Sequence, residues 1–139
     1  MKITYNDKKK DLPVDQLQDL FIAVGWSDSK NDSPEHSKNF NIGHINSTLV
    51  ISAWDGDRLV GSVRVISDTI FRSVIYDLAV FPEYQKTGIG SELVRRCVAH
   101  YPTSAWLVHT EKQTSPFYEK QGFTPKNSVF LSIPGKWTS

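Results

Sequence analysis

Short runs of alternating or continuously apolar residues recur along this chain, and they predict β-strands. Residues 2–5 alternate polar and apolar side chains. Residues 49–54 and 58–66 are apolar and β-branched on either side of a glycine-containing turn, the arrangement of a β-hairpin. Three more runs have the same character: residues 73–80, 105–108 and 129–133. Together they predict a sheet of about six or seven strands.

Apolar residues spaced three and four apart predict helices between these strands. Such spacing precedes Gly25 and recurs in residues 88–100. Ser33, followed by proline, predicts the start of a polar helix, and residues 115–121 predict a short one. The strand, helix and strand within residues 73–108 predict a crossover that leaves the two strands parallel or splayed apart.

The order of these elements favours the α/β (α+β) class. We expect one domain over residues 1–139, with a mixed, mostly antiparallel sheet flanked by about four helices and a splay between its central strands. The splay would form a cleft for a ligand.

Composition and charge exclude several classes of protein. The 139 residues carry 16 basic and 15 acidic side chains, a net charge of +1 that gives no support to nucleic-acid binding. No apolar run reaches the about 20 residues of a membrane helix, and residues 1–11 are polar, so we expect no signal peptide. The single cysteine, Cys97, excludes an internal disulfide and indicates a reducing compartment. We therefore expect a soluble cytoplasmic protein that binds no membrane.

The segment before the helix of residues 88–100 carries the clearest chemical signal. A buried strand ends at Val80, Pro82 follows, and a polar loop with Gly88 and Gly90 leads directly into the helix. Unpaired N–H groups then point in one direction, and the helix dipole adds partial positive charge. Glycine lets the backbone approach a ligand without a Cβ in the way. This predicts an anion site suited to phosphate or pyrophosphate.

Two common phosphate-binding motifs are absent from this loop. No glycine precedes Gly88 at the spacing of a Walker loop, and Leu93 stands where the dinucleotide fingerprint has its third glycine. Taken alone, the two glycines would indicate a plain strand-to-helix turn.

Two motifs resemble signatures of the GNAT superfamily of N-acetyltransferases. Gln85-Lys86-Thr87-Gly88-Ile89-Gly90 resembles the family's Q/R-x-x-G-x-G/A motif. Phe117-Tyr118-Glu119-Lys120-Gln121-Gly122-Phe123 resembles its second signature, at a distance that fits one helix and one strand. The resemblance covers about residues 49–133 and implies an acyl-CoA N-acyltransferase domain with acetyl-CoA as the acyl donor.

The resemblance also implies which residues hold the donor. In that family the loop amides hold the CoA pyrophosphate, and backbone groups of a splayed strand face the pantetheine arm. Tyr118 matches a tyrosine near the thiol that protonates the leaving thiolate. A tyrosine ordinarily titrates near about 10 and a thiol near about 8.5, so this transfer is chemically sensible. The implied cofactor-binding residues are Leu78, Val80, Gln85, Lys86, Thr87, Gly88, Ile89, Gly90 and Ser91.

Two positions depart from the family pattern ahead of Tyr118. Many relatives carry Asn seven residues before this tyrosine and Ala four residues before it, whereas this chain has Glu111 and Thr114. The asparagine contact to the CoA arm is therefore missing or replaced.

The acceptor amine must lose a proton, which requires a base or a water chain. The candidate bases are Asp77, Glu111, His109 and Asp68. Asp77 is the first choice, because a carboxylate on an otherwise apolar strand needs a partner or a purpose. Strand alternation puts it on the face of Ile75 and Ala79. The alternative, given equal weight, is a hydrogen-bonded structural carboxylate.

A looser resemblance points to the branch that includes plant-type serotonin N-acetyltransferases. It is carried by Val24-Gly25-Trp26, Asn46-Ser47, Val60-Gly61-x-Val63-Arg64 and Asp77-x-x-Val80. That branch has an Asp at the position of Asp77 and a Tyr at that of Tyr84, so both are implied near the acceptor. Trp26 is either an apolar wall for the acceptor or a core residue.

Metal and covalent chemistry are not expected. The four histidines lack metal-ligand spacing and a single cysteine is present, so we predict no metal. Cys97 is expected to be buried on its helix and inert. Direct attack of the amine on the thioester is therefore favoured over an acyl-enzyme.

Three functions remain open from the sequence. The first is acetyl transfer to a primary amine of a small molecule, such as an arylalkylamine, a polyamine or an amino acid. The second is transfer to a protein lysine or N-terminus, and the third is a CoA-binding module without catalysis. Tyr118 and Asp77 favour an enzyme, while residues 27–47 could either cover or open the acceptor site. A homodimer is also left open.

Overall fold

The computed structural model describes residues 2–28 and 33–136. The chain divides into two compact units, Met1–His109 and Thr110–Ser139. The expectation of one domain over residues 1–139 stays a prediction.

The first unit contains a mixed sheet of five strands. They are β1 (Ile3–Asn6), β2 (Leu49–Asp55), β3 (Arg58–Ser67), β4 (Arg72–Val80) and β5 (Ala105–Val108). They lie side by side in chain order, with three antiparallel pairings and a parallel pairing of β4 with β5. The helix between β4 and β5 supplies the crossover that a parallel pair requires. The predicted fold class, α+β with a mostly antiparallel sheet, is confirmed.

Among the described residues, four helices belong to the first unit and one to the second. They are α1 (Val14–Ala23), α2 (Pro34–Lys38), α3 (Ile42–Ile45), α4 (Ile89–His100) and α5 (Ser115–Lys120). The predicted Ser33 cap is confirmed, because its side chain accepts the His36 amide at 3.1 Å. The helix α3 was not predicted, since it is a single turn of Ile-Gly-His-Ile with little periodicity to detect.

The two long helices cover opposite faces of the sheet. On one face, Leu17 and Leu20 of α1 pack with Val50 and Ala79. On the other, Gly61 lies against α4, and a Cβ built there would come within 3.4 Å of the Ile89 side chain. Gly61 and Ala79 lie in successive residue pairs of the β3–β4 ladder, Gly61–Val80 and Ser62–Ala79. Because successive pairs point to opposite sides of a sheet, Gly61 and Ala79 are on opposite faces. The start of α4 is thus packed directly onto the end of β4.

The predicted strand at residues 129–133 is wrong. Those residues form no strand, and Leu131 and Ile133 are 85% and 95% exposed. An apolar, β-branched run favours extended backbone, but it becomes a strand only where another strand accepts its hydrogen bonds. The described residues therefore contain five strands instead of the six or seven expected.

Candidate active site

The loop between β4 and α4 has an unusual backbone. A 3₁₀ turn at Pro82–Tyr84 follows the strand, and Gly88 is the N-cap of α4. Lys86 and Gly88 both adopt left-handed conformations, with φ of 62° and 94°. Such a conformation is costly for a residue with a side chain, so the surroundings must hold Lys86 in place.

This loop presents backbone donors. The Glu92 amide closes the first turn of α4 by donating to the Gly88 carbonyl oxygen at 3.0 Å. Within residues 2–28 and 33–136, the amides of residues 86–90 donate no hydrogen bond. Together with the N-terminal end of the helix dipole, these donors suit an anion with several oxygens.

An open strand edge lies beside the loop. The ladder between β4 and β5 ends at the pair Ile75–Val108, while β4 continues to Val80. The Phe81 amide donates to Val60 on β3, so Val80 directs its own N–H and C=O toward the opposite edge, as does Leu78 two residues earlier. Accordingly, the Val80 carbonyl accepts from Gln85 Nε2 at 2.9 Å. Since β5 itself ends at Val108 with all four of its residues paired to β4, the predicted splay stays a prediction.

Asp77 lies in a β-bulge of β4. The β3–β4 register puts Asp77 and Leu78 opposite a single residue of β3. The φ of Asp77 is 54°, in the left-handed region that aspartate enters more readily than most residues. The extra residue shifts the alternation of side chains, so Asp77 contacts Arg64 on the side of the sheet where Tyr76 lies. Its predicted placement on the face of Ile75 is wrong.

The Arg64 guanidinium connects Asp77 to the helical segment on this face. Its Nε donates to Asp77 Oδ2 at 2.6 Å, and its Nη1 donates to Ser47 Oγ at 3.4 Å. The guanidinium also lies 5.0 Å from the centre of the Tyr76 ring. Among the described residues, the other carboxylate oxygen, Asp77 Oδ1, accepts no hydrogen bond. Asp77 thus has a structural partner and one oxygen that can still receive a proton.

His44 is a buried imidazole close to this ion pair. Its side chain is 2% exposed, and its Nε2 has no hydrogen-bond partner in the described part of the chain. Burial lowers the pKa of His44 to about 4, against the opposing effect of Asp77 and with a further lowering by Arg64. The imidazole is therefore neutral near pH 7.

Trp26 follows α1 at the edge of an aromatic cluster. Gly25 has φ of 84°, and the Trp26 amide donates to the Phe21 carbonyl at 2.9 Å, which is a Schellman ending. The Trp26 ring consequently stands edge-on to Phe21, with centroids 5.3 Å apart. Phe21 also contacts Phe40 and His44. Since Trp26 is 52% exposed, it is not a core residue, and its role as an acceptor wall stays a prediction.

Tyr84 joins the loop to the β2–β3 hairpin. Its hydroxyl donates to Asp55 Oδ2 at 2.6 Å, and the Arg58 guanidinium lies 5.5 Å from the centre of its ring. The hydrogen bond to Asp55 raises the pKa of the Tyr84 hydroxyl. The acceptor contact implied for Tyr84 stays a prediction.

The second unit holds Tyr118 on α5. Gly122, with φ of 100°, ends this helix, and the Phe123 amide donates to the Tyr118 carbonyl at 3.1 Å. This is another Schellman ending, and it sets the Phe123 ring 5.7 Å from that of Tyr118. Tyr118 is 9% exposed, and Phe117 packs against its other side. The glycine and the aromatics of the second motif therefore form one local unit around Tyr118.

Two of the other candidate bases hold turns. Asp68 Oδ1 accepts the amides of residues 70–72, and these bonds hold the pKa of Asp68 below its usual range. The Glu111 carbonyl accepts the amides of Thr114 and Ser115, each at 3.1 Å. These contacts assign the Asp68 carboxylate and the Glu111 backbone to local turns, and the choice of Asp77 as the base stays a prediction.

Cys97 is buried on α4, as predicted. Its side chain is fully covered, and burial raises the pKa of the thiol to about 12. Because the thiolate is the nucleophilic form, this cysteine is unsuited to carry an acyl group.

Comparison with known families decides the identity of the fold. A sequence model of the acetyltransferase (GNAT) domain matches residues 29–132, about three quarters of the chain. The chain belongs to the GNAT acetyltransferase family. The resemblance found in the sequence is confirmed.

Several GNAT proteins are similar to this chain. An uncharacterized N-acetyltransferase ycf52-like protein of Prochlorococcus marinus is 29% identical, over 81% of this chain and 63% of its own length. GCN5-related N-acetyltransferase 1, chloroplastic, of Arabidopsis thaliana is 25% identical, over 86% and 63%. Histone acetyltransferase TAP1 of Glycine max is 26% identical, over 81% and 52%. The chain thus spans about half to two thirds of the length of these relatives.

A solved acetyltransferase structure shares the fold. It is an aminoglycoside acetyltransferase from a soil metagenomic sample in complex with sisomicin, with a TM-score of 0.72 and 23% identity. The match covers 96% of this chain and 95% of that one. At this identity the likeness concerns the fold alone.

The sequence did not reveal the surroundings of Asp77. Arg64 carried a usable signal, because a charged residue between two valines of an apolar strand needs a buried partner. Ser47 and His44 carried no such signal, since both depend on how the unpredicted helix α3 packs.

The helices of the described residues are all too short or too polar to span a bilayer.

Proposed function

We propose that this GNAT protein transfers the acetyl group of acetyl-CoA to a primary amine of a small molecule by direct attack. The observation that carries the proposal is the loop that leads into α4, where the amides of residues 86–90 donate no hydrogen bond within the described residues and lie next to an unpaired edge of β4. This arrangement gives a diphosphate and an extended amide-containing arm adjacent places to bind. Acetyl-CoA, when bound, would supply the acetyl group and leave as the thiol.

The loop would bind the donor through its backbone. The amides of Lys86, Thr87, Gly88, Ile89 and Gly90 would hold the pyrophosphate oxygens, with Gln85 fixing the loop to β4 and Ser91 in the first turn of α4. The backbone groups of Leu78 and Val80 would bind the pantetheine arm. No metal is needed for this binding, and its absence stays a prediction.

Asp77 would take a proton from the ammonium form of the acceptor. Its Oδ1 would receive the proton while Arg64 keeps Oδ2 in place, and Asp77 would later release it to solvent. The amine nitrogen then forms a bond to the acetyl carbon as the carbon–sulfur bond breaks. Tyr118 would give its proton to the departing sulfur, and the second amine proton would restore the Tyr118 hydroxyl. The buried state of Cys97 supports this direct route.

A small acceptor is favoured by the aromatic cluster near Asp77. Trp26, Phe21 and His44 contact one another in series, and His44 senses the charges of Arg64 and Asp77. An exposed tryptophan at the edge of this cluster suits an amine with an apolar body. The fold neighbour in complex with sisomicin is an aminoglycoside acetyltransferase. A protein amine or a non-catalytic role are the alternatives, and a cytoplasmic location and a homodimer stay predictions.

Two measurements test the proposal. CoA binding is measured by calorimetry for Gly90→Val, whose side chain would intrude on the anion site, and for Ala99→Val, an exposed position on the same helix. We expect binding to be lost in the first variant and kept in the second. Gly88 is unsuitable, since its φ of 94° would strain any side chain. Undiminished affinity in folded Gly90→Val would contradict the proposed site.

Turnover of acetyl-CoA is then measured with a panel of arylalkylamines, polyamines, amino acids and peptides. Turnover confined to small amines is expected. Turnover confined to peptides would support the protein-amine alternative, and CoA binding without turnover on any amine would support the non-catalytic one.

A further inference from the structure

The start of the CoA-binding loop is tied to the hairpin between β2 and β3 by side chains. Tyr84 donates to Asp55 Oδ2 at 2.6 Å, and Arg58 pairs with Glu83 at 3.3 Å. Asp55 and Arg58 are the last residue of β2 and the first of β3, so both anchors flank one rigid turn. The Arg58 guanidinium also covers the Phe81 ring at 4.5 Å.

The two ties differ in strength. Both members of the Arg58–Glu83 pair are about half exposed, at 46% and 59%, and exposed ion pairs of this kind contribute little. The Tyr84 hydroxyl is partly buried and donates to a carboxylate, and hydrogen bonds to a charged acceptor are among the stronger ones. Tyr84 is therefore the main link between the loop and the hairpin.

The backbone of Tyr84 is fixed as well. Its amide donates to the Phe81 carbonyl at 2.8 Å, and its own carbonyl accepts from Thr87 Oγ1 at 2.5 Å. Two residues later Lys86 takes a left-handed conformation, which needs support from its surroundings. Holding Tyr84 in place through its side chain therefore also fixes the orientation of the amides of residues 86–90, which follow directly.

We propose that Tyr84, through its hydrogen bond to Asp55, is a positioning residue for the pyrophosphate-binding loop and not a contact of the acceptor amine. This inference rests on the proposed function. The carboxylate that accepts from the Tyr84 hydroxyl also keeps that hydroxyl protonated, which suits a permanent donor and not a group that exchanges protons with a substrate.

The test compares donors with and without the pyrophosphate. Tyr84→Phe removes the hydroxyl and keeps the ring. We expect its Kd for CoA, measured by calorimetry, to rise about tenfold, the effect of losing one hydrogen bond to a charged group. With acetylpantetheine, which lacks the pyrophosphate, kcat/KM should change less than about twofold, because the loop has nothing to hold. The KM for the amine should stay unchanged.

Asp55 supplies the matched variants. Asp55→Asn keeps a carbonyl oxygen as acceptor and should hold most of the CoA affinity, while Asp55→Ala should lose as much as Tyr84→Phe. The double variant Tyr84→Phe with Asp55→Ala should be no worse than either single one, since the hydrogen bond is lost once. Tyr101→Phe, at the far end of α4, is the control for loss of a tyrosine hydroxyl.

The outcomes separate this inference from the proposed function. A wild-type chain that does not bind CoA would overturn both. Unchanged CoA affinity in Tyr84→Phe, or a raised KM for the amine alone, would overturn this inference and leave the proposed function standing. If Tyr84→Phe does not fold, the two Asp55 variants decide instead. Equal CoA affinities of Asp55→Asn and Asp55→Ala would then overturn this inference.

Discussion

Arg64 and Asp77 are charged side chains that the fold keeps largely away from water, at 23% and 32% exposure. Removing one partner of a buried pair leaves an uncompensated charge and typically costs about 3–5 kcal/mol. The cost here is smaller, because both groups keep some contact with solvent that screens the charge. An experiment on catalysis must therefore remove the Asp77 charge while keeping its hydrogen bond.

Asp77→Asn meets that requirement. Asparagine tolerates the left-handed backbone of this bulge and can still accept the Arg64 Nε proton through its carbonyl oxygen. If Asp77 is the base, kcat should fall by about 10²-fold and the basic-side rise of the pH–rate curve should flatten. Both are measured with saturating acetyl-CoA and the best amine of the panel.

The structural alternative predicts the reverse for the same variant. If Asp77 only balances Arg64, Asp77→Asn should keep its pH–rate profile and show a lower melting temperature. Asp77→Ala is the companion variant, because it removes the hydrogen bond and strains the left-handed position as well. It should be destabilised under either interpretation, so the asparagine variant decides.

His44 should make stability depend on pH. Its folded-state pKa of about 4 lies below the ordinary 6.5, so between these values the unfolded chain binds a proton that the folded chain excludes. The free energy of unfolding should therefore fall as pH decreases from 6.5 toward 4, and level off below. A shift of this size corresponds to a loss of roughly 3 kcal/mol across that window.

Urea denaturation of the wild type and of His44→Leu tests this dependence. The difference between the two free energies of unfolding is compared at about pH 7.5 and about pH 5, which cancels the titration of other groups. Near neutral pH the leucine variant should lose little, because the imidazole buries an unpaired Nε2. A difference that does not change with pH would show that His44 is accessible to protons in the folded state.

At the scale of elements, two helices end in the same way and each ending fixes an aromatic residue. The Schellman ending of α1 sets Trp26 against Phe21, and that of α5 sets Phe123 against Tyr118. In both, a glycine with positive φ allows the reversal. The sequence predicts these ends well, because glycine is the residue that such a conformation selects.

Gly25→Ala should therefore destabilise the first unit. A Cβ at this position would meet no atom within 4 Å, so the effect comes from the backbone conformation and not from a clash. We expect the free energy of unfolding to drop by about 1 kcal/mol, as measured in urea. Gly25→Asn should lose less, because asparagine enters the left-handed region more easily. Equal stability of Gly25→Ala and wild type would contradict this account.

Elements fixed by local chemistry were predictable, and those fixed by pairing were not. The caps of α2 and α4, and the hairpin from β2 to β3, follow from serine, proline and glycine at set positions. The run at residues 129–133 has strand composition but no partner strand in the described residues. Composition indicates which backbone conformation a segment tolerates, whereas a strand forms only when a second segment pairs with it.

In the candidate site, too, features fixed by local sequence were predictable and those fixed by strand pairing were not. The amide-presenting loop is visible in sequence, because glycines and a following helix are local features. The bulge at Asp77 is not, because one inserted residue leaves the apolar pattern of β4 almost unchanged yet turns the carboxylate to the other face. Asp77 could be selected from the sequence and Arg64 carried a signal of its own, but that the two pair could not be predicted, because the pairing depends on the bulge.

At the scale of the molecule, the proposed reaction draws on both compact units. Met1–His109 contains the loop, the open edge of β4 and Asp77, and Thr110–Ser139 contains Tyr118. The groups assigned to binding the donor thus lie in the larger unit, and the proposed proton donor in the smaller one. A change in Tyr118 should therefore affect the chemical step without disturbing the groups that bind CoA.

Tyr118→Phe tests this separation. The phenyl ring can keep its contacts with Phe117 and Phe123, and the Schellman ending does not involve the hydroxyl, so α5 should persist. Without the proton donor, kcat should fall by about 10²–10⁴-fold while the Kd for CoA, measured by calorimetry, changes by less than about threefold. Gly122→Ala is the matched variant, since it strains the helix end and leaves the hydroxyl in place. A rate for Tyr118→Phe within about twofold of wild type would remove the general-acid role, because that is well below the usual contribution of such a group.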